Sequence, residues 1–327
     1  MFPMHSIKYF QKLFNEGLAL EDFNKQPIEL YNPISYTLSL GGKRMRPVLA
    51  LLACDLFNGN IEDAIKPAIG IELFHNFTLL HDDIMDNAPI RRGKETVFKK
   101  WNQSIAILSG DTMFAMAYEY LMKTDIKFSR RIFWVINQTS RQVCEGQQYD
   151  MNFENKKDVS INEYLNMIRL KTAVLLAASL KIGAIIGGAN QKDADYLYNF
   201  GINIGMLFQI KDDLLDAFGE EEKFGKKSGG DIVSNKKTYL FLKAIELAEG
   251  NDLKELISYF DGSDFDENEK IHDVIEIYKR LKIDELANTE MDNYFNKAIE
   301  NLNLISVIDE NKKVLRSFAE KLMSRQK

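Results

Sequence analysis

Apolar residues recur at intervals of three and four along much of the chain. Ile69, Leu73, Phe77, Leu80 and Ile84 form one such stripe, and Leu197, Phe200, Ile204, Leu207 and Ile210 another. Each reads as the face of an amphipathic helix turned towards a core. No segment worth naming alternates apolar and polar residues as a half-buried strand does. Residues 172–189 are apolar almost throughout, with Lys181 the one charge among 18 residues. That run is shorter than the ~20 residues that span a bilayer, and glycine and alanine crowd its second half. It predicts a central, tightly packed bundle helix, not a membrane span.

Short polar or glycine-bearing stretches at 41–44, 87–94, 219–231 and 261–270 predict the main connections. The last lacks the sixth-position glycine and closing glutamate of a calcium loop, and reads as a solvated turn. All six prolines, Pro3, Pro27, Pro33, Pro47, Pro67 and Pro89, lie in the first 89 residues. Average usage would place about 12 in the remainder. Because proline costs about 3 kcal/mol inside a helix, so long a proline-free stretch predicts helix after helix. The expectation is an all-α, single-domain bundle spanning 1–327 and containing about ten or more helices. Its more charged last part is expected to form an outer layer or lid.

Composition narrows the function. The 327 residues are 45% hydrophobic and 28% charged, with a net charge of −6. No global basic field favours nucleic acid or anionic lipid, so an anionic ligand has to be met by local basic clusters. Two isolated cysteines, Cys54 and Cys144, and an N-terminus without a signal-peptide pattern predict a reducing, cytoplasmic setting without a zinc site.

Candidate chemistry concentrates in two acidic motifs that interrupt apolar helices. His81-Asp82-Asp83-Ile84-Met85-Asp86 is one; Lys211-Asp212-Asp213-Leu214-Leu215-Asp216 is the other. Asp82 and Asp86 lie one helical turn apart on one face with Asp83 beside them, and the second triad repeats that geometry. Carboxylates so close repel one another unless cations neutralise them, and rigidly held hard oxygen donors suit Mg²⁺ bridging to substrate phosphates. One isolated copy would read as an exposed helix end. Two copies behind core-type runs predict two metal-binding faces looking at each other. Lys43, Arg44 and Arg46 in GGKRMRP, Arg91 and Arg92 one loop after the first triad, and Lys171, Lys226 and Lys236 in the second half are candidate phosphate clamps.

GGKRMRP, LLHDDIMDNAPIRRGK, EGQQYD, LKTA, FQIKDDLLD and GKKSGGDIVSNKKT follow one another between residues 41 and 238. In that order they resemble the motifs of the trans-isoprenyl diphosphate synthases, the polyprenyl synthetase family. The resemblance implies an all-α bundle, usually homodimeric, whose two aspartate-rich helices face each other across a deep central cavity. It implies Mg²⁺, about three ions per active site, held by Asp82, Asp83, Asp86, Asp212 and Asp216 with Asp213 completing the second triad. It assigns Arg91, Lys171, Thr172, Gln209, Lys226 and Lys236 to an allylic diphosphate, and Lys43, Arg46, His75 and Arg92 to isopentenyl diphosphate. Gln147 and Asp150 match a wall element of the cavity. Asn235 stands where many members have glycine, and the neighbouring Lys237 can take the place of Lys236. His75 also reads as a hydrogen-bonded core histidine, although it lies two turns before Asp82 on the same face.

The implied reaction is Mg²⁺-assisted ionisation of an allylic diphosphate (dimethylallyl, geranyl or farnesyl), attack by isopentenyl diphosphate, and proton loss. Arg91, Lys171 and Lys226 join the aspartates as the catalytic set. Product length should depend on Phe74, Phe77 and Thr78, one to two turns before Asp82. A lone aromatic at the fifth position before the first triad resembles C20 enzymes, with C15 next. Phe77 equally reads as ordinary core. Alternatives are a longer-chain synthase of C25 or above, a non-catalytic partner subunit, and a terpene cyclase, for which a different second metal motif is expected.

Overall fold

A computed structural model of the chain describes residues 5–219, 229–262 and 265–324. The elements run α1 (Ile7–Ala19), α2 (Ile28–Ser39), α3 (Met45–Leu56), α4 (Glu62–Met85), a two-stranded ladder β1 (Ile90–Arg91) and β2 (Lys94–Glu95), α5 (Val97–Lys100), α6 (Gln103–Leu121), α7 (Ile126–Asn155) and α8 (Ile161–Ile168). A π-helical turn, Arg169–Ala173, leads directly into α9 (Val174–Ile186) and α10 (Gln191–Phe218). The remainder comprises α11 (Gly230–Val233), α12 (Tyr239–Leu247), α13 (Gly250–Asp261), α14 (Glu267–Arg280), α15 (Ile283–Leu304) and α16 (Asp309–Met323). The fold is all-α, as the apolar periodicity predicts. The stretch at 87–94 is not wholly irregular: Ile90 pairs with Glu95 and Arg91 with Lys94 in an antiparallel ladder.

The helices group into two compact units. One is built from residues up to 138, with 178–197 and 306–314; the other from 139–177, 198–305 and 315 onward. Neither is continuous in sequence, and α7, α9, α10 and α16 each contribute residues to both. In the first unit, Ile69, Leu73, Phe74 and Leu80 of α4 are buried with Met113, Ala117 and Leu121 of α6 and nearly all of α3. The second stripe read from the sequence, Leu197 to Ile210, is buried at every one of its five positions.

The apolar run at 172–189 becomes the π turn and α9, whose residues Val174 to Leu180 are all buried. Lys181 is neutralised by Asp195 at 2.5 Å. Among the described residues no helix is long and apolar enough to cross a membrane. Prolines do not avoid helices here: Pro33 and Pro67 lie inside α2 and α4, and Pro47 in the first turn of α3. The C-terminal helices are no mere outer layer. Val274, Ile277, Ala287, Met291, Ala298 and Leu302 are fully buried. Asp266, within the stretch expected as a solvated turn, caps α14 by accepting from the Asn268 and Glu269 amides.

Candidate active site

Both acidic motifs lie at helix C-termini. Asp82 and Asp83 sit in the last turn of α4 with Asp86 as its C-cap, and Asp212 to Asp216 occupy the last turns of α10; neither helix has a basic residue in its last turn. A helix C-terminus carries about −0.5 of an elementary charge and favours cations, so stacking carboxylates there opposes the local field. The three aspartates of each motif are not equivalent. Asp86 and Asp212 are exposed and Asp82 and Asp216 half-buried, whereas the middle residues, Asp83 and Asp213, are buried.

Asp83 accepts from Arg91 Nε at 2.6 Å. Burial pushes its carboxyl above the usual range, against the opposing pull of Arg91. Asp213 accepts from the Tyr164 hydroxyl of α8, from Gln209 Nε2 at 3.2 Å and from the Tyr239 amide at 3.3 Å. Burial raises it to about 7 although the Tyr164 hydrogen bond works the other way. Local sequence sets both partners. Ser160 and Glu163 form a reciprocal capping box that starts α8 four residues before Tyr164, and Thr238 caps α12 so that the Tyr239 amide is free to donate. Asp83, expected among the metal ligands, thus pairs with Arg91, and Asp213 meets hydroxyl, side-chain amide and backbone N–H donors.

The first unit gathers a basic cluster around α3, α4 and the ladder. Arg44 adopts a left-handed conformation (φ 48°) and turns inward, donating to Glu72 Oε1 at 2.5 Å and to the Leu38 carbonyl. Asn76 holds the same Glu72 oxygen at 3.0 Å. Arg46 Nη1 lies 3.2 Å from His75 Nε2. Since guanidinium only donates, Nε2 accepts and the imidazole is neutral. Burial, reinforced by Arg46, Arg92, Arg91 and Arg44, holds His75 well below the usual histidine range. Arg92 donates to the Gly41 carbonyl. A Cβ at Gly42, whose φ is 132°, would lie 2.8 Å from that guanidinium, so glycine there admits the arginine. Arg44 and Arg91 thus have carboxylate partners, while Arg46 and Arg92 meet neutral acceptors; Arg46 Nε is buried with no hydrogen-bond partner among the described residues. Such net positive charge on fixed donors is an arrangement for an anion. Lys43 is exposed nearby, its carbonyl accepting from Gln11. Beside the cluster, Leu79, Leu80, Asp83, Arg91, Arg92 and Thr96 help line a small pocket.

The second unit holds the other predicted phosphate ligands. Lys171 donates to Asp150 Oδ2 at 2.5 Å, and the Thr172 hydroxyl to Gln209 Oε1 at 3.1 Å, so that Thr172, Gln209, Asp213 and Tyr164 form one chain of hydrogen bonds. Lys171 and Thr172 lie on the π turn, which is seated between two glycines. A Cβ at Gly146 would come within 2.7 Å of the Leu170 carbonyl carbon, and one at Gly205 within 2.5 Å of Ala173 Cα. Asp216 Oδ2 accepts from the Asp231 amide at 2.8 Å, and Asp231 lies 3.2 Å from Lys236 Nζ. Lys236 and Lys237 are clearly distinguished. Lys237 donates to the Phe153 and Lys156 carbonyls at the end of α7, whereas the Lys236 side chain is 65% exposed. Lys226 lies outside the described residues. Gln147 is buried.

Of the expected chain-length residues, Phe74 is fully buried and Phe77 and Thr78 half-buried. The Phe114 ring of α6 packs at a tilt, 5.1 Å from Phe77 and 6.0 Å from Phe74, and Tyr118 packs at a tilt against Phe114. Sequence reasoning missed Tyr164, Asp231, Glu72 and Phe114. Only Asp231, beside glycines and lysines, had a local signal.

Among the described residues no three of His, Cys, Asp and Glu converge on a point that could hold a metal ion. The outward Asp82, Asp86, Asp212 and Asp216 nevertheless fit Mg²⁺: they are hard oxygen donors at the negative ends of helices, and Mg²⁺ keeps several waters and substrate phosphate oxygens, so it needs few protein ligands.

The polyprenyl synthetase family model matches residues 27–278. The short chain isoprenyl diphosphate synthase of Methanothermobacter thermautotrophicus is 36% identical over 307 residues, covering 94% of this chain and 94% of that protein. The geranylgeranyl diphosphate synthase of Sulfolobus acidocaldarius is 36% identical over 332 residues, covering 98% and 100%. Among solved structures, a geranylgeranyl pyrophosphate synthase matches with a TM-score of 0.93 at 43% identity, covering 99% of this chain and 100% of that one. With its ordered motifs, its all-α fold and its relatives in agreement over nearly the whole length, this chain belongs to the polyprenyl synthetase family.

Proposed function

We propose that the protein is a short-chain trans-prenyltransferase that condenses isopentenyl diphosphate with an allylic diphosphate, giving an all-trans C20 diphosphate. The observation that carries this reading is the pair of aspartate motifs, each with its middle carboxylate anchored inward and its outer carboxylates presented at the negative end of a helix. Bound by Asp82, Asp86, Asp212 and Asp216, Mg²⁺ would supply charge neutralisation of the departing diphosphate. Lys171, Lys236 and Arg91, with Lys226, orient the allylic diphosphate and stabilise the negative charge that grows on it as the C–O bond breaks, its electron pair leaving with the diphosphate. Arg46, Arg92 and Lys43 hold isopentenyl diphosphate beside neutral His75. Its double bond attacks the allylic cation, a C–C bond forms, and the proton lost in restoring a double bond goes to the departing diphosphate. Asp83 and Asp213 position this machinery through Arg91 and Gln209.

Phe77, backed by Phe114, sets the product length. Single-domain, cytoplasmic organisation belongs to the same reading, and so does a homodimer. Supporting the homodimer, Leu108 of α6 and Phe133 and Trp134 of α7 are large apolar side chains that are 58%, 43% and 60% exposed. The purified protein, incubated with Mg²⁺, isopentenyl diphosphate and each allylic diphosphate in turn, should yield C20 alcohol after dephosphorylation. No product with any allylic substrate would refute the proposal, and products of C25 or above would refute the chain length.

A further inference from the structure

The segment from Gly229 to Thr238, which carries Asp231 and Lys236, is backed by α14. Gly229 (φ 86°) passes so close to that helix that a Cβ there would lie 2.8 Å from Ile271 Cγ1. One residue earlier, Lys270 donates its ammonium to Asn235 Oδ1. Two turns further, Tyr278 is fully buried, its hydroxyl has no hydrogen-bond partner among the described residues, and Asp231 and Asp213 act on it electrostatically.

Lys270 is only 5% exposed, with Nζ 5.1 Å from the centre of the Phe260 ring. Burial pushes its ammonium below the usual lysine range. A buried ammonium is costly, and an apolar side chain of the same length would fill this space without that cost. Its value lies in what it grips. Asn235 adopts a left-handed conformation (φ 55°), one that L residues other than asparagine and aspartate rarely enter. Immediately after it, the Lys236 amide donates to the Asp231 carbonyl at 2.9 Å, and the Thr238 amide returns to the Lys236 carbonyl at 3.0 Å. Whatever fixes Asn235 therefore fixes the direction in which Lys236 leaves the turn, and with it the Asp231 backbone that hydrogen-bonds to Asp216.

We propose that Lys270 is a positioning residue: by clamping left-handed Asn235 from behind, it sets Lys236 and the Asp231–Asp216 contact in the geometry that receives the allylic diphosphate. This rests on the role assigned above to Lys236 and Asp216. It is tested on the full chain with Lys270→Met, Asn235→Ala and the double variant, by steady-state kinetics in each substrate, Mg²⁺ titration and thermal unfolding. Lys270→Met should keep the wild-type Tm, since it exchanges a buried charge for an apolar side chain of similar length. It should lower kcat/KM for the allylic diphosphate about 10–100-fold and raise the Mg²⁺ concentration for half-maximal rate, as loss of an outer support does, while KM for isopentenyl diphosphate is unchanged. The double variant should be no worse than the more impaired single variant, because the two residues act as one clamp. Losses that multiply, a KM change shared equally by both substrates, or wild-type kinetics in Lys270→Met would each overturn the inference. A wild-type protein inactive with every allylic substrate would instead overturn the function on which it rests.

Discussion

Removing Asp83 and removing Asp82 should have opposite consequences, although the two residues are adjacent and of one type. In Asp83→Ala the Arg91 guanidinium loses its 2.6 Å partner. Breaking a fully buried ion pair costs about 3–5 kcal/mol. Here the Asp83 side chain is 8% exposed but that of Arg91 is 31%, so water recovers part of the loss. The expected destabilisation is about 2 kcal/mol, between the buried range and the 0–1 kcal/mol of surface pairs. At ~2 °C per kcal/mol for a chain of this size, Tm should fall by about 4 °C. Asp82→Ala removes a half-buried carboxylate from the negative end of α4 and should leave stability within about 0.5 kcal/mol of wild type. Its turnover should drop by at least about 10³-fold, because in the proposed mechanism Asp82 helps hold the Mg²⁺ that neutralises the departing diphosphate. Calorimetry and product assays on the two variants decide the matter. Equal melting temperatures, or a lower one for Asp82→Ala, would refute the division of each motif into one anchored and two outward carboxylates.

Phe77→Ala should shift products beyond C20, and Phe114→Ala, which removes the ring packed against Phe77, should do so to a smaller extent; chromatography of the dephosphorylated alcohols reads both. Lys236→Met should raise KM for the allylic diphosphate, whereas Lys237→Met should lower Tm with KM unchanged, because Lys237 caps the α7 carbonyls; kinetics and melting together separate the two. His75 is neutral in the fold and takes up a proton only once unfolded, so stability should be fully present above pH ~6.5 and fall as pH drops below it, by up to ~1.4 kcal/mol per pH unit. His75→Gln should flatten that slope in urea titrations between pH 6.5 and 5; an unchanged slope would mean that His75 is protonated as it stands.

The helices were legible because their signals are local and repeated: Leu197 to Ile210 reads as a buried face from spacing alone, and is one. The acidic motifs and basic turns were equally legible as short strings. What spacing could not resolve was which way each side chain faces within a motif. Asp82 and Asp83 differ by about 100° around the helix, and it is the second that meets Arg91, eight residues further on in the ladder. Likewise Arg44 and Arg46 read alike in GGKRMRP, yet Arg44 is consumed by Glu72 from α4. Tyr164, Phe114 and Lys270 carry no motif, since their roles come from packing between elements remote in sequence. Proline was a weaker guide than its distribution implied, because Pro33 and Pro67 fall inside helices.

The π turn at Arg169–Ala173 places a constraint on the length of the chain itself. A π turn holds one residue more than the α-helical turn it replaces over nearly the same rotation, so deleting one of the five would restore a regular turn and leave the helix beyond it almost in phase. On the upstream side the capping box fixes α8, and on the downstream side Lys181 must still reach Asp195. With both ends pinned, the supernumerary residue is held as a bulge, and Lys171 and Thr172 lie on it. Losing it should therefore cost the placement of Lys171 and Thr172 more than it costs the fold. A one-residue deletion within 169–173 should accordingly lower turnover far more than it lowers Tm, which kinetics and thermal melting of the deletion variant check together.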